Sequence, residues 1–91
     1  MFVTQPSSQS VDLTQTATFI CSATGYNVSY QWTIGSGSFP NKVTGINSNT
    51  LVIPDVRSSD DNNYRCTISN RGGMRRNAAQ LTVTGMTMMI V

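Results

Sequence analysis

One stretch of sixteen residues constrains the fold more than any other part of the chain. It runs from Leu51 to Cys66 and reads LVIPDVRSSDDNNYRC. Leu51 and Ile53 flank Val52 with the alternation of a strand, and Pro54 should end that strand because proline cannot continue a sheet ladder. A tyrosine lies two positions before the cysteine, so these two residues share one face of a second strand. The stretch therefore predicts two strands joined by a turn.

The same alternation recurs in three other segments, while no segment keeps the period of 3.6 residues that an amphipathic helix needs. Turn-forming residues separate the segments at positions 35–38, 47–49 and 71–73. Short strands at regular spacing with polar turns indicate an all-β sandwich or barrel. The residues predicted to face inward are Ala17, Phe19, Cys21 and Ala23, then Tyr30, Trp32 and Ile34, then Leu51 and Ile53, then Tyr64, Cys66 and Ile68, and finally Ala79, Leu81 and Val83.

Length and charge narrow the class of protein. A chain of 91 residues builds one core, so we assign residues 1–85 to a single domain and 86–91 to an apolar tail, a remnant or the start of a further segment. The chain has six cationic residues, four aspartates, no glutamate and no histidine. A net charge of +2 does not by itself indicate nucleic-acid binding, and the tail is far shorter than the roughly 20 residues that span a bilayer. We expect no cofactor, no nucleic-acid partner and no membrane insertion of this segment.

The chain has two cysteines, Cys21 and Cys66, and their number limits the kinds of site that they can form. Without histidine they cannot complete the four ligands of a structural zinc site, so no metal site is expected. A disulfide or a pair of buried thiols remains, and the disulfide is favoured because secreted domains use such bridges. It would close a loop of 45 residues, the difference between the two positions, which the chain-entropy treatment values at about 4 kcal/mol.

A constellation of residues resembles a known family. Cys21, Trp32 and Cys66 follow one another at separations of 11 and 34 residues, and all three fall on inward positions. The motif L-x-I-x-x-V-x-x-x-D-x-G-x-Y-x-C is met, except at its glycine, by Leu51, Ile53, Val56, Asp60, Tyr64 and Cys66. In these features the chain resembles the immunoglobulin superfamily from Val3 to about Thr84.

The resemblance implies a two-sheet Greek-key sandwich with one inter-sheet disulfide, packed beside Trp32. It also implies that the ring of Tyr64 is buried and that its hydroxyl turns back to an upstream backbone group, the arrangement called a tyrosine corner. Asp60 would lie at the turn between the sheets and need a cationic partner, for which Lys42 is the best candidate. Leu51 completes this core signature.

Two details bear on the subtype. Asn62 replaces the glycine of the motif, and we expect it to take the positive φ that asparagine tolerates. Only 18 residues separate Trp32 from Leu51, fewer than the two extra strands of a variable-type domain need. The spacing is similar to the I-set or C2-like sets, although the N-terminal half has variable-like features. The aromatic-Gly-x-Gly bulge used for antibody-like pairing is missing.

Two features could carry function. Asn27 begins the sequon Asn-Val-Ser in the turn before the Trp32 strand, so it is a possible glycosylation site, or else an unmodified turn residue. The predicted hairpin between the last two strands carries a basic tip that could bind an acidic or sulfated group on a partner, or could simply keep the hairpin solvated. The residues of this tip are Arg71, Met74, Arg75 and Arg76.

We therefore expect an extracellular or cell-surface binding module of a receptor, adhesion or immune-type recognition protein, which acts by protein–protein contact, including possible self-association. The alternative is an architectural spacer in a tandem array with no ligand of its own. An enzyme is not expected, because the chain has no phosphate loop, metal set or nucleophile with a neighbouring base.

Overall fold

The computed structural model describes residues 2–25, 27–35 and 37–85. Within these ranges the fold is all-β, as predicted, and no helix is long and apolar enough to cross a membrane. The predicted tail 86–91 lies outside the described residues, as does Tyr26. The elements are β1 (Phe2–Thr4), β2 (Gln9–Asp12), β3 (Ala17–Ile20), β4 (Ser22–Ala23), β5 (Ser29–Ile34), β6 (Thr50–Ile53), a 3-10 helix (Ser58–Asp60), β7 (Asn62–Asn70) and β8 (Gly73–Thr84).

The strands form two facing layers. One is a four-stranded sheet in the order β2-β8-β7-β5, in which β2 is parallel to β8 and the other pairs are antiparallel. The other layer pairs β3 with β6 and β4 with β1, and β4 continues β3 beyond Cys21. A bridge between Thr44 and Val52 extends this layer by one residue pair. The result is the predicted Greek-key sandwich, closed by a disulfide between Cys21 and Cys66.

The core fills the space between the layers. Inward residues alternate with exposed ones along each central strand, so that three alternate positions of β7 are buried while Arg65 between them is exposed. Burying this apolar surface is the main favourable term in folding. The largest side chains with almost no solvent exposure are Trp32, Phe19, Leu51, Ile53, Leu81 and Val56, together with the two cysteines.

The N-terminal strands β1 and β2 were not apparent in the sequence. β2 reads Gln-Ser-Val-Asp and has one apolar residue, so it carries no alternation of apolar and polar side chains. It is held by its parallel pairing with β8, in which Gln9 lies opposite Leu81 and Asp12 opposite Thr84. Backbone pairing with a strand about 70 residues away is a tertiary interaction that no local pattern reveals.

The expectation of a positive φ at Asn62 is wrong. The non-glycine residues with positive φ among those described are Thr14, Asn27 and Asp55, and Asn62 instead begins β7 in an extended conformation. The turn before it is held by side chains. The Asp61 carboxylate accepts a hydrogen bond from the Val83 N–H at 2.9 Å. The family's glycine can be replaced here because the backbone does not need its conformational freedom.

One glycine is required by a close approach. Gly45 has a φ of +83°, and a Cβ atom on it would lie 1.9 Å from the backbone oxygen of Thr50. It begins a tight turn in which the Ser48 N–H donates to the Gly45 oxygen at 3.0 Å. This turn brings the Ser48 carbonyl within hydrogen-bond distance of the buried Trp32 indole.

Candidate functional site

The disulfide and the tryptophan form one structural unit at the centre of the sandwich. The Cα atoms of Cys21 and Cys66 are 6.6 Å apart, and Cys66 lies directly opposite Trp32 in the pairing of β7 with β5. All three residues are inaccessible to solvent. The indole Nε1–H donates to the Ser48 backbone oxygen at 2.8 Å, which satisfies its polar atom. The unit joins the two layers, and the described residues include no free thiol.

Tyr64 makes the corner contact at the start of β7. Its hydroxyl donates to the Asp60 backbone oxygen at 2.6 Å, four residues upstream. Its ring stacks against Phe19 with 5.3 Å between ring centroids, and against Phe39 at 6.1 Å. Phe19 also approaches Trp32 at 6.3 Å, so one aromatic cluster runs from the tyrosine corner to the disulfide. These residues brace the fold and show no catalytic arrangement.

Asp60 is the buried charged residue of the described core, and its neighbours compensate its charge. The Lys42 ammonium lies 2.7 Å from its Oδ2 atom, and the Arg57 N–H donates to the same oxygen at 2.7 Å. Lys42 also donates to the Asp55 backbone oxygen at 2.8 Å. These donors compensate the buried carboxylate, which holds the turn in place. The role of this ion pair is structural, because the Lys42 ammonium and the Asp60 carboxylate bind each other.

The burial of Tyr64 makes the domain sensitive to alkaline pH. Burial, and secondarily the negative charges of Asp60 and Asp61, raise the pKa of Tyr64 from 10.0 to about 12. Between these values the folded chain keeps a proton that the unfolded chain has lost, so the free energy of unfolding should fall as pH rises through this window. Below pH 10 this residue should contribute no pH dependence.

Thermal unfolding monitored by circular dichroism at increasing alkaline pH would measure this effect. The variant Tyr64→Phe is the control, since it lacks the titrating hydroxyl. It should be less stable at neutral pH because it loses the corner bond, but its stability should decline less steeply above pH 10. Parallel curves for the two proteins would show that Tyr64 does not titrate abnormally.

The candidate binding site lies at the other end of β7, where it turns into β8. Asn70 and Gly73 are the last residue pair of the hairpin, and Arg71 and Gly72 form its turn. The Asn70 side-chain oxygen accepts a hydrogen bond from the Gly72 N–H at 2.8 Å, which stabilises the turn. The tip is exposed on all sides, and Met74 leaves 55% of its surface accessible.

A cleft of about 180 Å³ opens between this tip and the turn that connects β4 with β5. Val28 and the buried Ile68 supply apolar walls, while Arg75 and Met74 contribute from β8. The lining also includes the polar residues Ser69 and Asn70, together with Gly72 and Gly73. An apolar floor with a cation beside it is suited to an aliphatic or aromatic group that lies next to a negative charge. We call these residues, with Arg71 in the adjoining turn, the tip site.

The structure places three of the four predicted binding residues on two surfaces, while the fourth, Arg71, lies in the hairpin turn. Met74 and Arg75 line the cleft, whereas Arg76 lines a separate shallow depression with Arg65. Arg65 and Val28 were not recognised from the sequence. Val28 reaches the cleft through a turn whose position depends on the whole sandwich.

Asn27 lies in the turn between β4 and β5, where the structure places it exposed with a φ of 51°. Its neighbour Val28 forms part of the cleft wall. Asparagine tolerates this left-handed conformation better than most residues. A sugar at this position would therefore lie close to the tip site, although glycosylation stays a prediction.

The described residues carry no group of three or more histidine, cysteine, aspartate or glutamate side chains that could hold a metal ion. The two ionic contacts among them, of Lys42 with Asp60 and of Arg57 with Asp55, both lie at the end opposite the tip site.

Comparisons with solved structures agree on the fold. Extracellular domains 3–5 of Drosophila OTK align with a TM-score of 0.81 and 25% identity, over 92% of this chain and 31% of theirs. An I-band fragment of titin aligns with a TM-score of 0.77 and 29% identity, over 91% of this chain and 31% of the fragment. The tandem Ig repeats of Dlar align with a TM-score of 0.81 and 19% identity, over 92% of this chain and 47% of theirs. The chain thus spans about a third to a half of these proteins.

A search of curated protein sequences finds no significant match. The family comparison is decisive, since the profile described as Immunoglobulin domain matches residues 1–70, most of the chain. It includes both cysteines, the buried tryptophan and the tyrosine corner. The chain therefore belongs to the immunoglobulin domain family.

Proposed function

We propose that this domain is an extracellular binding module that recognises an acidic protein partner through the tip site. The observation that carries the proposal is the cleft, which places Arg75 and Met74 beside the apolar side chains of Val28 and Ile68. Loops at the ends of a rigid sandwich are where domains of this architecture have room to bind, because strand pairing holds the sheets fixed.

The chemistry of the tip site favours a partner with a carboxylate or sulfate next to an apolar group. A guanidinium group binds such anions with two parallel hydrogen bonds, and a methionine side chain adapts to the shape of an apolar contact. The four aspartates of this chain all lie away from the tip, so no aspartate competes for its arginines. Recognition would therefore combine a small apolar contact with charge complementarity.

Three features support an extracellular location. The disulfide is a bond that persists in oxidising compartments. Asn27 is exposed within a sequon and would be available as a glycosylation site. The similar domains of OTK are extracellular domains. The same domain would then belong to a receptor or adhesion protein and act through protein–protein contact.

The double variant Arg71→Ser/Arg75→Ser tests the proposal against a panel of secreted and cell-surface proteins, with a glutamate-rich peptide and heparin as charge probes. Ligands that bind the wild type should bind at least about tenfold more weakly, because one lost charge-assisted hydrogen bond already has that effect. Arg57→Ser/Arg65→Ser removes the same charge elsewhere and is the matched control. Met74→Ser and Arg76→Ser, made singly, separate the cleft from the outer sheet face.

Equal effects of the two double variants would show that net charge, and not the tip site, governs binding. Unchanged binding of every ligand by Arg71→Ser/Arg75→Ser would remove the proposal.

The second candidate function is that of a spacer in a tandem array. It is favoured by the similarity to the tandem repeats of Dlar and to a titin fragment, of which this chain corresponds to one part. A spacer would show no ligand in the panel above, while its flanking sequences would align it with neighbouring domains of the same fold.

A further inference from the structure

The charges of the domain are separated along its length. Arg71, Arg75 and Arg76 lie at the hairpin tip, and Arg65 lies near the middle of β7. The four aspartates of the chain are at the opposite end, where Lys42 and Arg57 compensate two of them. The tip thus has three positive charges, whereas the opposite end keeps a net charge of minus two.

The two uncompensated carboxylates lie on either side of the end of β8. Asp12 is the residue opposite Thr84 in the parallel pairing, and it accepts a hydrogen bond from the Thr84 hydroxyl. Asp61 accepts from the Val83 N–H on the other side of β8. Both residues are exposed. Hydrogen bonds from neutral groups fix these carboxylates without cancelling their charge, and we call this surface the acidic end.

The tip site and the acidic end cannot neutralise each other within one molecule. Gly73 and Thr84 are the first and last of the 12 residues of β8, and eleven steps of about 3.3 Å place their Cα atoms roughly 36 Å apart. This distance is several times the Debye length of about 8 Å at physiological ionic strength. The two surfaces are instead free to meet across two molecules.

We infer that the tip site of one copy binds the acidic end of a second copy, in a head-to-tail contact. The inference rests on the proposed function and names its acidic partner. Arg71 and Arg75 of one domain would face Asp12 and Asp61 of the next. In this head-to-tail arrangement each copy leaves one tip site and one acidic end open, so the contact is heterologous and continues from copy to copy.

Sedimentation equilibrium of the full chain at rising concentration tests this contact. Rim charges of this kind give weak, salt-dependent association, so oligomers should form at about 10 mM salt. The association constant should fall at least about tenfold by 150 mM salt. A wild-type chain that stays monomeric at low salt and high concentration would overturn the inference.

Charge reversal of the two ends makes the test specific. Arg71→Asp/Arg75→Asp and Asp12→Arg/Asp61→Arg should each be monomeric, whereas an equimolar mixture should associate because opposite ends are again complementary. Near-ultraviolet circular dichroism would establish that both variants are folded. The inference would be overturned if the mixture stayed monomeric, or if either variant alone associated as the wild type does.

The full-length variant Met86→Ser/Met88→Ser/Met89→Ser examines association through the apolar tail. Unchanged association is expected, and loss of association in this variant alone would overturn the charge-based contact.

Asp12→Asn/Asp61→Asn distinguishes this inference from the proposed function. It should abolish self-association and leave binding of the glutamate-rich peptide at the tip unchanged. If the wild type is monomeric but the tip variants still lose the peptide, the self-contact fails and the proposed function stands.

Discussion

Reduction of the Cys21–Cys66 disulfide is expected to lower the free energy of unfolding by about 4 kcal/mol. The bridge joins residues 45 positions apart, and the unfolded chain gains the entropy of that loop when the bridge opens. For a domain of this size such a loss corresponds to a decrease in melting temperature of about 15–30 °C. The reduced protein should therefore be only marginally stable, since domains of this length have about 5–14 kcal/mol in total.

Two forms of the experiment separate the effect of the covalent bond from the effect of the packed sulfur atoms. Reduction keeps both sulfur atoms in the core, whereas Cys21→Ala/Cys66→Ala also removes their volume from a site that solvent does not reach. The alanine variant should therefore be the less stable of the two. Mass spectrometry after alkylation, with and without reductant, would count the protected sulfurs, and we expect two without reductant. A change below about 1 kcal/mol on reduction would contradict the loop argument.

Replacement of Trp32 by alanine should destabilise the domain by about 3–5 kcal/mol. The indole has no solvent exposure, lies opposite Cys66 and approaches the ring of Phe19, so its removal leaves a cavity beside the disulfide. Rigid backbone pairing on β5 and β7 limits how far the surroundings can collapse into that cavity. Equilibrium denaturation followed by far-ultraviolet circular dichroism is the appropriate measurement, because the variant loses the chain's one tryptophan.

Trp32→Phe is the companion variant. It retains much of the aromatic volume but loses the hydrogen bond from Nε1 to the Ser48 oxygen, and should cost roughly half as much as alanine. Nearly equal losses for the two variants would mean that the hydrogen bond, rather than the filled volume, dominates. Such a result would contradict the view of Trp32 as the packing partner of the disulfide.

The sequence predicted those parts of the fold in which local pattern and tertiary packing agree. Phe19, Leu51 and Leu81 alternate with polar neighbours because their strands bury one face, and the structure buries all three. β2 was missed since its four residues include one apolar side chain and its stability comes from pairing with β8. The first part of β8, which carries Met74 through Arg76, is exposed on both faces and so needs no apolar alternation. For that reason the sequence predicts a hairpin tip there and not a strand.

The candidate site was predicted in part for a similar reason. The sequence placed Arg71 and Arg75 on a hairpin tip, because glycines and a basic run mark such a turn. The sequence did not show that Val28 would complete a cleft with Arg75, since Val28 comes from a turn more than 40 positions away. Likewise the family's glycine suggests a positive φ at Asn62, whereas Asn62 begins β7 in an extended conformation.

The parallel pairing of β2 with β8 sets a limit on when the domain can be completed during synthesis. In the finished sheet β8 is the neighbour of β2, and the paired residues Asp12 and Thr84 are 72 positions apart. A ribosome adds residues from the N-terminus onward, so β2 emerges early and waits until almost the whole domain has left the exit tunnel. Contacts over such long sequence separations also slow folding. The nascent chain therefore exposes an unpaired β2 while most of the domain is translated, and the final strand of the domain is the one that protects it.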